Sequence, residues 1–334
     1  MTASWNTCPI KQEIIKLLSY ETRCNLRLCS KDDRDAVDST RFVAKELQII
    51  EIPSQMSDEK SIIRVSIDSF VIWFIGRNDV TKVDRAWHDE QVIEGMSELK
   101  NENRFDVARR FLERIMRNGT IEARRIHMEL RHLEPLEHWT LKSKHLSLIV
   151  QSDESTLARQ WLTKVECPLE KISAIGDGIL EIADLPNIWG ASRRIELSPC
   201  DLTDEQLDQM QATDVRIHSD SFTLEAVHRA IDRHLKYGRA DDTFFLVSEL
   251  MANTDESQIL PPHLIFRRDS EGEPSHAKRF KITGGFKNVH GEQWTREGVF
   301  VINGLLEISK RPDKSKNTFS CPLYPFTAGR SGFE

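Results

Sequence analysis

The sequence predicts an α/β fold: a small helical unit, then alternating strands and helices, then a β-rich end. Three observations support this prediction. Apolar residues within 9–38 recur at helical spacing, short strand cores alternate with amphipathic helices from residue 126 onward, and glycine and proline punctuate short alternating runs beyond residue 252. The chain has 334 residues, which is long enough for about two domains.

The N-terminal unit reads as three short helices. Pro9 suits a first helical turn, and apolar side chains between Ile10 and Leu18 recur at helical spacing. Thr22 and Ser30 are residues that favour the start of two further helices. Three helices this short carry more apolar residues than they can bury against one another. The unit is therefore either a docking element for a partner or a helical cap on the domain that follows.

Residues 43–119 change to the alternation that is typical of strands. Apolar residues alternate in three runs, whereas the next stretch is polar and turn-like and two later stretches have helical periodicity. The predicted strands are 47–52, 63–67 and 69–75, the predicted turn region is 76–90, and the predicted helices are 91–100 and 104–117.

A strand–helix unit then recurs every 20 to 29 residues. The strand cores are Ile126/Met128, Leu146/Leu148, Ile172/Ala174, Ile195/Leu197, Val215/Ile217 and Phe244/Leu246. The helical candidates between them are 157–165, 180–188, 203–210 and 224–235. This period is that of leucine-rich repeats, in which neighbouring units must stack to bury their apolar faces. The sequence thus predicts an irregular strand–helix solenoid, with an ordinary α/β domain as the alternative.

The β-rich end is predicted as hairpins that close the open edge of the sheet. Short alternating runs occur at 264–266, 280–282 and 299–302, with glycines between them. Residues after Pro312 are expected to form a loose tail.

The charge distribution constrains the partners of the chain. The net charge of −7 argues against sequence-independent binding to nucleic acid or to an anionic membrane surface, and no apolar run approaches the length of a membrane span. Residues 176–257 carry 17 acidic and 7 basic side chains, a net charge of −10. This stretch is either a face for a basic protein partner or a solvated surface.

Motifs that would carry chemistry are missing from the sequence. There is no glycine-rich phosphate loop, no nucleophile elbow and no zinc-binding helix motif, so we expect neither an enzyme nor a cofactor or metal site. His228 and His234 stand six residues apart, which does not place them on one helical face, and we expect both to be exposed. The Gly176-Asp177-Gly178 run is expected to be a turn.

Six scattered cysteines indicate reduced, buried thiols. They form no Cys-x-x-Cys pair, and a disulfide framework is uncommon in a chain of this size. The N-terminus lacks the basic and apolar regions of a signal peptide. We therefore expect a cytoplasmic or nuclear location.

A proline at position 9, Leu-Leu-Ser-Tyr at 17–20 and Leu-Arg-Leu-Cys-Ser at 26–30 follow one another within the helical unit. This succession resembles the F-box, in particular the divergent F-box of nematode proteins. Those proteins carry a long F-box-associated domain, often with leucine-rich-repeat-like strands. The motifs cover residues 8–40, and the remaining chain is similar to these proteins only in architecture.

The resemblance implies an F-box-like helical domain at 8–42, an F-box-associated repeat-like domain at 43–312 and a loose tail at 313–334. It also implies a substrate-recruiting subunit of a cullin-RING ubiquitin ligase. The F-box would bind a Skp-family adaptor on the cullin scaffold, and the repeat domain would bind an unidentified protein target. The implied adaptor-binding residues are Pro9, Ile14, Leu17, Leu18, Leu26 and Leu28. The alternative function is a repeat-based protein-binding module with a helical cap and no link to ubiquitin.

Overall fold

The computed structural model describes residues 9–40, 42–53, 62–77, 80–87, 93–115, 119–151, 155–239, 242–248, 254, 256–262, 266–268, 277–282, 296–301 and 305–309. Three helices come first, which confirms the predicted helical unit: α1 (Pro9–Leu17), α2 (Tyr20–Cys29) and α3 (Lys31–Ser39). The later helices are α4 (Arg104–Ile115), α5 (Ser155–Leu162), α6 (Pro186–Trp189), α7 (Asp204–Gln209), α8 (Leu224–Tyr237) and α9 (Glu256–Ile259).

A large mixed sheet forms the rest of the molecule. Its strands are β1 (Ala44–Ile52), β2 (Ile62–Ile67), β3 (Phe70–Arg77), β4 (Val80–Trp87), β5 (Ile93–Lys100), β6 (Thr120–Leu130), β7 (Thr140–Lys142), β8 (His145–Val150), β9 (Lys171–Leu180), β10 (Arg194–Cys200), β11 (Asp214–His218), β12 (Phe244–Val247), β13 (Phe266–Arg268), β14 (Ala277–Ile282), β15 (Arg296–Val301) and β16 (Leu305–Ser309). The strand order is β13-β14-β15-β16-β12-β11-β10-β9-β8-β6-β1-β2-β3-β4-β5, with β7 paired beside β6.

The centre of the sheet is parallel. Strands β1, β6, β8, β9, β10, β11 and β12 pair in parallel, each with its neighbour in that order. The six predicted strand cores are confirmed, and their registers align: Ile126 lies beside Leu146, and Leu146 beside Ile172. Each of these side chains is buried. The aligned rows make one continuous apolar layer, because every strand presents the same alternating residues to the helices.

Antiparallel strands flank this parallel centre on both sides. Strands β1 to β5 form a meander on one side, and β16, β15, β14 and β13 extend antiparallel from β12 on the other. The second group confirms the predicted closing hairpins where they are described. Residues 264–265 and 302 and the predicted tail at 313–334 lie outside the described residues.

Two predictions for residues 76–100 are wrong. The expected turn region contains β4, and the described residues of the expected helix at 91–100, from Ile93 onward, form β5. Ile93, Met96 and Leu99 recur three residues apart, a spacing that also fits a helix. Backbone pairing with β4 overrides this local periodicity, because it supplies hydrogen-bond partners to the backbone groups of both strands.

The helices between the parallel strands largely follow the prediction. Helices α4, α5, α7 and α8 lie where they are expected, and a capping box at Thr203 begins α7. The helix predicted at 180–188 is wrong, because Leu180 ends β9 and only the four-residue α6 follows. The Gly176–Gly178 run lies within β9, where the register to β10 shifts, and is not a free turn.

The described architecture is thus a mixed α/β fold with an N-terminal helical unit and a large mixed sheet. The helical unit ends at Ser39 and β1 begins at Ala44. Whether the central part is a leucine-rich-repeat solenoid, and whether the domain boundaries fall at 42 and 312, stay predictions. No helix in the described part of the chain is both long enough and apolar enough to cross a membrane.

Candidate functional site

The helical unit exposes several large apolar side chains. Ile10, Ile14 and Leu17 on α1 are 69%, 54% and 87% exposed, and Leu28 on α2 is 81% exposed. The three α1 residues stand at positions i, i+4 and i+7, so they form one stripe on the helix. We call the three α1 residues the exposed apolar patch. An apolar stripe that stays in water in the isolated chain is typical of a protein-binding surface.

A very small core holds the three helices together. Ile15, Ala36 and Val37 are buried, and Leu18 and Leu26 pack against them. Ile15 follows Ile14 in the sequence, and successive helical residues point about 100° apart, so α1 buries Ile15 against α3 while Ile14 stays exposed. Among the described residues, the helical unit offers no further buried layer against which the exposed apolar patch could pack.

The predicted adaptor-binding residues therefore divide into two groups. Ile14, Leu17 and Leu28 lie on the exposed surface, whereas Leu18 and Leu26 pack inward. Pro9 begins α1, but its side chain lies outside what the structure describes. Ile10 belongs with the exposed group and was missing from the prediction. The sequence feature that indicates Ile10 is its spacing of four residues from Ile14.

Side-chain caps begin α2 and α3, and an ion pair joins α1 to α3. Ser19 Oγ accepts a hydrogen bond from the Thr22 amide at 3.2 Å, and Ser30 Oγ accepts one from the Asp33 amide at 3.0 Å. Lys11 Nζ on α1 lies 2.8 Å from Asp33 Oδ1 on α3. Hydrogen bonds from Lys11 and Ser30 hold the pKa of Asp33 below its ordinary value. The orientation of α1 is thereby tied to α3.

Aromatic contacts join the helical unit to the sheet. The Arg23 side chain is buried, donates to the Thr40 carbonyl at 3.1 Å and lies 4.8 Å over the Phe42 ring. The Tyr20 ring lies 5.6 Å from Phe42 and 5.3 Å from Phe70 of β3. Burial raises the pKa of Tyr20 above its ordinary value. The side of α2 that carries Tyr20 and Arg23 thus faces the sheet.

The side of the parallel sheet opposite the helix-facing layer is a second surface. On this open face His127 Nδ1 lies 3.0 Å from Ser147 Oγ, and His127 Nε2 lies 2.9 Å from Glu129 Oε1. A hydroxyl, an imidazole and a carboxylate in line are the groups of a nucleophilic triad. Ser147 lies inside β8, whose backbone is paired on both sides, so the surrounding amides are engaged in the sheet rather than free to form an oxyanion hole.

The acidic stretch 176–257 uses many of its carboxylates internally. Asp208 and Asp184 pair with arginines at 2.6 and 2.7 Å, and Asp204 accepts from the Thr223 amide and hydroxyl. Asp201 accepts from two backbone amides, and Asp242 accepts from the Thr213 hydroxyl. These pairings favour a structural role for much of the stretch. They argue against a negative electrostatic field that is free to attract a basic partner.

Two predictions about polar residues need correction. His234 is buried, with its Nδ1 2.7 Å from the Thr213 carbonyl, because it faces the sheet side of α8 rather than solvent. The cysteines are not uniformly buried: Cys29 and Cys167 are exposed, whereas burial raises the pKa of Cys200 to about 12. The described cysteines are free, and Cys8 and Cys321 lie outside them. No group of three or more potential metal ligands occurs among the described residues.

Comparison with known proteins adds one finding at the helical unit. The chain matches the F-box domain family over residues 9–45, a segment that contains α1, α2, α3 and the start of β1. No curated protein and no solved structure matches the chain. F-box domains typically bind Skp-family adaptors in cullin complexes. The N-terminal helices are therefore an F-box domain, which implies a role as a ubiquitin ligase adaptor through Skp binding.

Proposed function

We propose that this chain is a substrate-recruiting subunit of a Skp–cullin–F-box ubiquitin ligase and has no chemistry of its own. The observation that carries the proposal is the exposed apolar patch on a helical unit that matches the F-box domain. A patch of this kind is stabilised when it enters an apolar groove on a partner, and helix-in-groove binding uses anchors at the i, i+4 and i+7 spacing of Ile10, Ile14 and Leu17.

The sheet domain is the proposed target-binding part. Its parallel strands present side chains in aligned rows on an open face, a geometry that suits an extended binding surface. We assign it to a leucine-rich-repeat-like, F-box-associated domain of the nematode type, on the strength of the recurring strand–helix unit and the F-box that precedes it. The chain would act in the cytoplasm or nucleus, where Skp-family adaptors meet cullins.

Replacing Ile14 and Leu17 by alanine should weaken adaptor binding by about 100-fold, because each truncation removes roughly 1.5 kcal/mol of apolar burial. Both side chains are exposed in the free chain, so the double variant should keep the stability of the wild type. Binding of the purified full chain to a Skp-family adaptor is measured by isothermal titration calorimetry.

The matched control is Ile179→Ala, which removes an exposed isoleucine from β9, away from the F-box. It should bind the adaptor as tightly as the wild type. A double variant that retains wild-type affinity would contradict the assigned surface. A wild-type chain that binds no adaptor would instead favour a protein-binding module with a helical cap and no link to ubiquitin.

A further inference from the structure

A tryptophan stands between two opposite charges on the open face of the antiparallel strands. Arg64 of β2 lies beside Trp73 of β3, and Trp73 lies beside Asp84 of β4. Residues adjacent to these three in the sequence belong to the buried layer that α4 covers: Val65, Phe74 and Val83. Since consecutive strand residues point to opposite faces, the three side chains project from the open face. We call Arg64, Trp73 and Asp84 the charged row.

Each charged side chain of this row contains a buried polar atom without a hydrogen-bond partner. Arg64 Nη2 donates to Gln48 Oε1 at 3.0 Å, but the described residues supply no acceptor to its buried Nε–H. They likewise supply no donor to the buried Oδ1 of Asp84. Trp73 lies between the two groups, and the Cα atoms of Arg64 and Asp84 are about 10 Å apart. Buried polar groups in folded proteins are usually satisfied, so these two indicate a missing partner.

An apolar row borders the charged row at the next outward-facing position along the strands. Ile52 of β1 stands beside Ile62 of β2, and Ile62 stands beside Ile75 of β3. Ile52 is 38% exposed, and the other two are half-buried. Beyond Ile75 the row ends at Lys82, whose charge is balanced by Glu98 at 3.0 Å. Tryptophan and arginine beside apolar side chains are the composition of a protein-binding hot spot.

We propose that the charged row binds the charged row of a second copy of the chain, with each Arg64 paired to the Asp84 of the other copy. A twofold axis that runs parallel to the strands above Trp73 exchanges the positions of β2 and β4. The same rotation places one Trp73 ring against the other. Two packed sheets lie about 10 Å apart, a gap that an arginine and an aspartate side chain span together. The proposal goes beyond the proposed function and does not depend on it.

The order of the charges favours a second copy as the occupant of this face. In a twofold interface a surface patch meets its own rotated image, so the patch must be complementary to itself. A row with a positive end, an aromatic centre and a negative end meets this condition, because the rotation brings opposite charges together at both ends. One interface thus supplies an acceptor to each Arg64 and a donor to each Asp84.

Sedimentation equilibrium of the full-length chain over a series of concentrations tests the proposal. Because the two rows form a small interface, the wild-type chain should dimerise with a Kd in the micromolar range. Arg64→Asp and Asp84→Arg should each weaken self-association by about 100-fold or more, since each replaces two ion pairs by two contacts between like charges. An equimolar mixture of these two variants should dimerise again, because both pairs across the interface then join opposite charges.

The matched control is Arg114→Asp, which reverses an exposed charge on α4, on the helix-covered side of the same strands. It should dimerise like the wild type. Thermal unfolding shows whether each variant folds. If a charge reversal unfolds the chain, Trp73→Ala takes its place. This variant removes the central apolar contact and should weaken self-association by about tenfold or more, as is typical of a truncated hot-spot tryptophan.

Two results would overturn the proposal. A wild-type chain that stays monomeric throughout the micromolar range would leave this face to a different protein or to solvent. A mixture of the two reversal variants that associates no better than either alone would show that Arg64 and Asp84 do not meet across the interface, even if the wild type dimerises.

Discussion

Replacing Trp161 by alanine should cost about 4 kcal/mol of unfolding free energy, the largest effect that we expect from a single substitution. Trp161 on α5 is fully buried, its ring lies 5.9 Å from that of Trp139, and its Nε1–H donates to the Leu133 carbonyl at 2.8 Å. The substitution opens a cavity under the sheet and leaves the Leu133 carbonyl without this donor. Small domains have only about 5 to 15 kcal/mol of stability, so this loss is a large fraction of the total.

Urea denaturation followed by far-ultraviolet circular dichroism measures this loss. Trp161→Phe should lie between the wild type and the alanine variant, because it keeps most of the ring volume and loses the hydrogen bond. Gln160→Ala, at the exposed neighbouring position on α5, is the control and should change stability by less than about 0.5 kcal/mol. A loss below about 1 kcal/mol for Trp161→Ala would show that α5 does not pack on the sheet as described.

Replacing Glu51 by alanine should cost about 3 kcal/mol. The Glu51 carboxylate at the end of β1 is buried, and its Oε1 accepts hydrogen bonds from the amides of Arg131, His132 and Leu133 at 3.0, 3.0 and 2.7 Å. Removal leaves three donors in the loop after β6 without their acceptor, and hydrogen bonds to a buried charge are stronger than neutral ones.

Glu51→Gln separates the charge from the hydrogen bonds. It keeps an oxygen acceptor at the same place and should lose about half as much stability as Glu51→Ala. Glu137→Ala removes an exposed carboxylate from the same loop and should be nearly neutral. Equal stability of Glu51→Ala and Glu137→Ala would mean that the β1 carboxylate does not organise this loop.

Much of the sheet could be predicted, because the alternation of inward and outward side chains along each strand can be read from the local sequence. The alternation of Ile126 and Met128, and of the equivalent pairs in later units, fixes which side chains face inward, and parallel pairing then aligns them. Residues 91–100 could not be assigned in the same way, since their spacing fits a helix as well as a strand. Only the long-range pairing with β4 decides between them.

The candidate site was predictable in part for a related reason. The helical spacing and the F-box-like motifs locate Ile14 and Leu17, but they do not tell an exposed leucine from an inward one such as Leu18. That difference depends on how α1 meets α3, which the Lys11–Asp33 ion pair helps to fix. The inward position of Glu51 is easier to recognise in the sequence, because Glu51 follows Leu47 and Ile49 in the inward-facing alternation of β1.

The sequence alone does not show which charged residues pair with one another in the folded chain. The acidic stretch 176–257 suggests a binding face for a basic partner only if each charge is counted without its partner in the folded chain. Partners such as Arg229 for Asp208 lie about 20 residues away in the chain and become neighbours only in the folded sheet domain. The same folding places Glu46 of β1 beside Arg125 of β6.

Hydrogen–deuterium exchange of the full chain, with and without a saturating Skp-family adaptor, tests the central claim most directly. The small core of the F-box makes rapid opening of α1 and α2 the expectation for the free chain, so adaptor binding should slow exchange strongly in both helices. Exchange in β6 to β12 should stay unchanged. Slowed exchange on the sheet with none at α1 and α2 would contradict the account.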